Sequence, residues 1–149
     1  METALRFAAV LLTGLALIAP AAHLFEMSNK LALPQSAYFT VQGIYNGWWM
    51  LGLFLPLAFL ANLSLAYASR SDRTALVLAL GAAACVLLNL TIFYFYTQPA
   101  NAVTQNWTIQ PDNWAALRQQ WEYSHAVNAG VMLAAFCLAL SAAIRDADY

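Results

Sequence analysis

Two short stretches of this sequence each pair an acidic residue with a histidine three positions away. His23 and Glu26 lie in HLFEMSNK, and Glu122 and His125 lie in WEYSH. Residues three apart share one face of an α-helix, so the members of each pair can act together. An imidazole oriented by a carboxylate is a good general base. The four side chains therefore predict a proton-transfer site.

The same four side chains also suit a metal ion. A Glu-x-x-His pair on two helices, with a glutamate from each of two others, is a known site for two metals. The other long apolar segments of this chain contain no glutamate, so that pattern is incomplete. A single metal held by His23, Glu26, Glu122 and His125, or a haem between the two histidines, needs fewer ligands. We expect no cofactor, with these two sites as alternatives.

A second pattern leads into His125. Trp114, Arg118, Trp121 and His125 are spaced by four, three and four residues, so they form one stripe on a helix. Such a stripe can wall a pocket with flat aromatic faces, a guanidinium for an oxyanion and an imidazole for a proton. The other predicted substrate-binding residues, at a comparable depth, are Gln42, Tyr45 and Asn89.

A structural interpretation competes with the chemical one. Glu26 lies four residues before Lys30, and Arg118 lies four before Glu122, and both spacings suit ion pairs along a helix. These groups and the histidines then form a polar collar at the membrane surface. The tryptophans of the stripe can likewise belong to an aromatic belt at the lipid headgroups. Other aromatic residues also fit this belt, namely Trp48, Trp49, Trp107, Tyr45, Tyr94 and Tyr96.

The amino-acid composition indicates whether these residues belong to a soluble or a membrane protein. Hydrophobic residues make up 62% of the 149 residues and charged residues 9%, whereas soluble domains are roughly 45–50% apolar and about 25% charged. The sequence therefore predicts an integral membrane protein with the lipid bilayer as its partner. The net charge of −1 gives no basic surface, so nucleic acid is excluded as a partner.

Four apolar segments can cross a membrane, at residues 5–24, 44–68, 74–96 and 126–144. About 20 helical residues cross the hydrocarbon layer, and helices satisfy their own backbone hydrogen bonds there. The sequence predicts an all-α fold, an up-down four-helix bundle formed by a single domain over residues 1–149. The first segment also resembles a secretory signal peptide, but its apolar run has the length of a membrane helix.

The fourth helix is predicted to extend beyond the membrane. If Asp112 or Asn113 is its N-cap, the helix has about 33 residues up to Arg145, or roughly 50 Å. The second helix can likewise extend back towards Pro34 or Ser36. The two histidine–glutamate pairs lie at the same end of their helices, so they converge if the first and fourth helices are neighbours.

The basic residues predict the orientation. Four arginines are expected at one end of the bundle: Arg6, Arg70, Arg73 and Arg145. The opposite end has only Lys30 and Arg118. Because basic residues favour the cytoplasmic side, we expect both termini in the cytoplasm, in a bacterial inner membrane. The histidine–glutamate pairs then lie at the outer surface.

The stretches AHLFEMSNKLALP and NWAALRQQWEYSHAVNA resemble the anthrone-oxygenase-like family of small four-helix membrane proteins, most of unknown function. The most specific part is the series Trp114, Arg118, Trp121 and His125. The resemblance implies oxygenation of flat phenolic or quinone-like molecules without a metal or a flavin. Relatives often have a basic residue soon after the histidine, where this chain has Asn128.

These observations leave two hypotheses of function. One is a cofactor-free oxygenase or oxidoreductase acting on a phenolic or quinone-like compound, with His125 as the base and Arg118 stabilising the enolate. The other is a non-catalytic accessory subunit of a larger membrane complex, or of a homo-oligomer. In that case the small residues of Gly81–Ala84 are expected to pack against partner helices.

Overall fold

The structure, a computed structural model, describes residues 2–145 of the chain. Within that range the secondary structure is helical, and no β-strand occurs. Four stretches are long and apolar enough to cross a membrane: Glu2–Leu31, Trp48–Ala68, Arg73–Val103 and Trp114–Ala143. The predicted all-α fold with four membrane helices is therefore confirmed.

The α-helices are, in chain order, α1 (Glu2–Leu31), α2 (Gln35–Gln42), α3 (Phe54–Ala68), α4 (Arg73–Ile92), α5 (Gln98–Val103) and α6 (Trp114–Ala143). α1 extends beyond the apolar run of residues 5–24 at both ends. The following residues include good helix formers such as Glu26, Met27 and Lys30, and they contain no glycine or proline, so α1 continues to Leu31.

The four long helices surround a common core in an up-down arrangement. α1 packs against α6 and α3, and α4 packs against α3 and α6. The short turn after Ala68 makes α3 and α4 antiparallel neighbours. Because α1 and α6 are also neighbours, the condition on which the predicted site depends is met.

The second membrane stretch is not one regular helix. α2 starts at Gln35, but 3₁₀ turns over Gly43–Tyr45 and Trp48–Leu53 separate it from α3. Between these turns Gly47 has a φ of 89°, a left-handed conformation that ends the helix and that glycine adopts without strain. A continuous second helix reaching back to Pro34 or Ser36 is therefore wrong. The 3₁₀ segment instead packs against α1.

The fourth helix is long, as predicted. α6 has 30 residues, or about 45 Å at 1.5 Å per residue, which exceeds the hydrocarbon thickness of about 30 Å. Asn113 occupies the N-cap position without a side-chain capping hydrogen bond, and the helix ends at Ala143 rather than Arg145. Its first turns contact aromatic residues of α2 and of the α5–α6 loop.

One end of the bundle, which we call the turn end, joins the α3–α4 turn to both ends of the described chain. Arg6 donates hydrogen bonds to the carbonyls of Ala143 and Arg145, at 3.1 and 2.7 Å. Asp72 accepts from Arg145 Nε at 2.9 Å and caps α4. The Arg145 hydrogen bond and the helix N–H groups lower the pKa of the Asp72 carboxyl. The candidate functional residues lie at the opposite end, the site end.

Small residues bring the helices together inside the bundle. Ala82 and Ala83 are buried, and an added Cβ on Gly81 would lie 3.3 Å from Leu138 Cδ1. Most of the Gly81–Ala84 face is therefore packed within the chain rather than left for partner helices. Helices that approach this closely gain van der Waals contact, the main source of helix association in lipid.

Substituting Gly81 with valine is expected to lower the free energy of unfolding by about 1–3 kcal/mol, because the larger side chain must displace Leu138. Gly130→Val is the matched control, since no atom lies within 4 Å of a Cβ built there. Unfolding of both variants in mixed detergent micelles measures the difference. Equal stability of the two variants would show that α4 and α6 are not in close contact at Gly81.

Candidate functional site

Lys30 lies at the centre of the site. Its Nζ is 3.1 Å from Glu122 Oε2, 3.7 Å from Glu26 Oε2 and 3.3 Å from His23 Nδ1. Lys30 is only 3% exposed and Glu122 is 0% exposed. A buried charge needs a partner of opposite charge, and the last turns of α1 together with α6 provide this pair.

The rings of the two histidines are in contact between α1 and α6. The ring centroids of His23 and His125 are 4.2 Å apart, with the planes inclined by 40°. The ring centroid of Trp121 lies 4.7 Å from that of His23 and 4.3 Å from that of His125. The Tyr45 ring contacts His23 with a centroid distance of 4.5 Å. The structure thus brings together the two imidazoles that the sequence places on separate helices. We call His23 and His125 the imidazole pair.

A tyrosine hydroxyl donates to each carboxylate. Tyr38 donates to Glu122 Oε1 at 2.9 Å, and Tyr45 donates to Glu26. Burial raises the pKa of both phenols, and the neighbouring carboxylates raise it further. Both hydroxyls therefore stay protonated well above neutral pH and act as fixed donors. This holds Glu122 and Glu26 in position beside Lys30.

Arg118 does not form its predicted ion pair with Glu122. Its Nη1 donates to the carbonyl of Leu33 at 2.9 Å, and its guanidinium lies over the rings of Trp114 and Tyr38. Glu122 is buried and pairs with Lys30 from α1 instead. Within the described part of the chain, no hydrogen bond or ion pair links Arg118 to the imidazole pair.

The predicted substrate-binding residues divide into three groups. Trp121 and Tyr45 contact the imidazole pair, as described above. Trp114 and Gln42 lie near Tyr38, in a separate aromatic cluster. Asn89 is buried in α4, and no hydrogen bond among residues 2–145 connects it to the site.

Three residues contribute to the site in ways that the sequence does not predict. The predicted role of Lys30 is only an ion pair with Glu26, although it lies seven residues, or two helical turns, after His23 and thus on the same face. Tyr38 lies in a connection between membrane spans, where sequence periodicity gives no signal. Trp48 packs on His23 at 5.5 Å rather than only serving the aromatic belt.

The other belt tryptophans differ from each other. Trp49 is 73% exposed, which suits a belt position, whereas Trp107 is 6% exposed and packs on Tyr38, Phe39 and Trp121. The belt interpretation of Trp107 is therefore wrong. The α5–α6 loop folds back over the bundle and buries this side chain.

The residues do not fit the metal and haem alternatives. Lys30 Nζ occupies the space between His23, Glu26 and Glu122 in which a metal ion would lie. In the described range, no three His, Cys, Asp or Glu residues are placed to hold a metal. A haem would have to lie between the imidazole rings, but rings 4.2 Å apart are already in contact.

A groove of about 640 Å³ lies at the turn end, away from these groups. Its lining is mainly apolar and includes Leu5, Leu60 and Leu63, together with Tyr67 and Arg70. None of the described residues that line it is a histidine. The chemically capable residues are instead closely packed at the site end.

Comparison with known proteins adds no functional assignment: no family model, no curated protein and no solved structure matches this chain. The resemblance to the anthrone-oxygenase-like family therefore stays a prediction. The geometry of the site end is the basis for assigning a function.

Proposed function

We propose that this chain is a membrane-bound oxygenase that oxidises a ring methylene group of a phenolic or quinone-like compound such as anthrone, with His125 of the imidazole pair as the general base. The observation that supports this most is the direct contact of two buried imidazoles, one of them hydrogen-bonded to Lys30. A polar collar requires neither the contact nor the burial. Titratable groups inside a membrane protein usually serve function, because burying them is costly.

The proposed reaction needs only dioxygen as a second reactant. His125 removes one C–H proton, and the electron pair of that bond stays on the substrate as a carbanion. The carbanion reduces dioxygen and forms a C–O bond, and the resulting peroxide takes back the proton. Loss of the second C–H proton then breaks the O–O bond, which leaves a carbonyl group and releases water. One CH2 and one O2 thus give one C=O and one H2O.

Three charged side chains support the proposed base, each with a different role. Lys30 holds His23 and the two carboxylates in place, so that His23 orients His125. Glu26 has a side chain that is 40% exposed, and it provides a route by which protons exchange between Lys30 and water. Arg118 stabilises negative charge on the substrate oxygen, as its place in the stripe before His125 suggests.

Substrate access requires movement, because the imidazole pair is nearly covered. The 3₁₀ segment Trp48–Leu53 and the turn at Gly47 lie beside His23, and irregular backbone of this kind often forms a hinge. Outward movement of this segment opens the site towards lipid, where an apolar aromatic substrate is dissolved. We place this end at the outer surface of a bacterial inner membrane, with both termini cytoplasmic, because the arginines gather at the turn end.

Oxygen uptake by the purified protein in nanodiscs tests the proposal. With anthrone as the probe, we expect one O2 consumed for each anthraquinone formed, at a rate well above that of empty nanodiscs. Hydrogen peroxide is expected to be absent, because the second oxygen atom leaves as water. Uptake equal to that of empty nanodiscs would overturn the proposed function.

A further inference from the structure

The groove at the turn end is separate from the residues of the proposed reaction. It measures about 640 Å³ and lies between the start of α1 and the end of α3. The α3 residues that line it have the spacing of one helix face, and they are Leu60, Leu63, Ser64, Tyr67 and Ala68. Leu60 and Tyr67 are two turns apart, or about 10 Å along the helix axis. The lining therefore extends along a membrane helix.

The lining of this groove changes from apolar to polar towards the end of the span. Leu60 and Leu63 lie deepest in the span, because α3 ends at Ala68. Tyr67 and Arg70 lie nearest to the membrane surface, where tyrosine rings and the ends of arginine side chains meet the lipid headgroups. The Arg70 guanidinium lies 4.7 Å from the Tyr67 ring centroid. This order matches an amphipathic molecule with an apolar chain and a polar headgroup.

The charge of Arg70 is not balanced by a carboxylate in the described part of the chain. Glu2 also lines the groove, but its carboxylate pairs with Arg6 at 2.6 Å. Asp72, in the turn that follows α3, pairs with Arg145 at 2.9 Å. Arg70 is exposed, and its Nη1 makes one hydrogen bond, to a backbone carbonyl at 3.1 Å. The other N–H groups of this guanidinium can donate to an anion.

The two parts of the groove together define the class of ligand. A free inorganic anion would use the guanidinium and leave the leucine-lined part of the groove unfilled. An acyl chain fills that part with van der Waals contacts, which drive association inside lipid. A phospholipid joins the two chemistries in one molecule, and the bilayer supplies it. Basic pockets between membrane helices bind anionic headgroups in this way.

We propose that the groove at the turn end binds an anionic phospholipid, with one acyl chain along Leu60 and Leu63 and the phosphate on the Arg70 guanidinium. A zwitterionic phospholipid has an added positive charge in its headgroup, so Arg70 attracts it less. The bound lipid contacts α1 at Leu5 and α3 at Leu63, and it thereby joins the two helices at this end. This lipid site is independent of the proposed reaction.

Native mass spectrometry of the full chain tests the headgroup. The protein in detergent is titrated with an equal mixture of phosphatidylglycerol and phosphatidylcholine that have the same acyl chains. We expect the first bound lipid to be phosphatidylglycerol about fivefold more often, the effect of one arginine on an anionic headgroup. Glycerol 3-phosphate, which has no acyl chain, should not displace it. Displacement would show a site for a soluble phosphate and overturn the lipid site.

Two arginine variants test whether the preference comes from the groove. Arg70→Gln removes the charge, so the ratio of the two lipids is expected to fall to about twofold or less. Arg73→Gln is the matched control, because Arg73 is also exposed but does not line the groove, and it should keep the full ratio. An equal fall in both variants would show a general effect of net charge and overturn the site. A ratio near one in the unchanged protein would also overturn it.

A variant that fills the groove tests the place of the acyl chain. Ser64→Trp is expected to weaken binding of the first lipid by about tenfold for both headgroups, because the chain loses its contacts with the helices. Ser64 is exposed, and its hydroxyl donates to the carbonyl four residues earlier at 2.8 Å. Thr91→Trp is the matched control, since Thr91 on α4 is exposed and donates in the same way at 2.9 Å. Unchanged lipid binding by Ser64→Trp would overturn the groove as the site.

Discussion

Replacing His125 with alanine is expected to lower the rate of oxygen uptake by about 10²–10⁴-fold, the usual contribution of a general base. The His125 imidazole projects from α6 and contacts His23, with a centroid distance of 4.2 Å. Its removal deletes the group that takes the C–H proton in the proposed reaction. Uptake with anthrone in nanodiscs measures the effect, and equal protein yield shows that the variant folds.

Two further variants, His23→Ala and Tyr123→Phe, test whether the loss of oxygen uptake is specific to His125. His23 lies between Lys30 and His125, so its removal should slow the reaction less than removal of His125. Tyr123 is close in sequence to His125 but 54% exposed, and its variant should keep the full rate. Undiminished uptake by His125→Ala would discard His125 as the base.

Lys30→Met is expected to be the most destabilising single substitution at the site end, costing about 3–5 kcal/mol of unfolding free energy. The substitution removes the partner of Glu122, whose side chain is fully buried, and an unpaired buried charge is costly. Methionine fills a similar volume, so the effect reports charge rather than packing. Unfolding in mixed micelles, followed by tryptophan fluorescence, measures it.

The double variant Lys30→Met with Glu122→Gln is expected to recover most of the lost stability, because it leaves neither member of the pair charged. Glutamine keeps an oxygen that can accept from Tyr38. As a control, Glu2→Gln breaks a pair with Arg6 in which Glu2 is 54% exposed, and it should cost less than about 1 kcal/mol. If Lys30→Met costs no more than Glu2→Gln, Lys30 and Glu122 are not a buried ion pair.

The ion pair of Lys30 and Glu122 also explains why α1 and α6 lie close together at the site end. Lys30 is on α1 and Glu122 on α6, so their attraction fixes the relative position of the two helices at the site end. The tyrosine hydroxyls of the connection between α1 and α3 then fix the two carboxylates. These contacts place His23 and His125 in register. The ion pair of Lys30 and Glu122 thus positions His125, the proposed base.

The sequence alone determined the membrane helices and their order. An apolar run near 20 residues can satisfy its backbone hydrogen bonds in lipid only as a helix, so the four spans follow from composition and length. The spacing of His23 and Glu26, and of Glu122 and His125, likewise determined which side chains share a helix face. Both results depend on residues close in sequence, which is why they could be predicted.

Only the tertiary structure decided which of these side chains meet. The pairing of Glu122 with Lys30 rather than Arg118 depends on the distance between two helices, and the places of Tyr38 and Trp107 depend on irregular connections, one of which contains left-handed residues. The periodicity of the sequence predicts neither the distance between two helices nor the conformation of an irregular connection. A long side chain such as lysine or arginine can reach several partners. Here the fully buried carboxylate of Glu122 pairs with Lys30, whereas Arg118 donates to the carbonyl of Leu33.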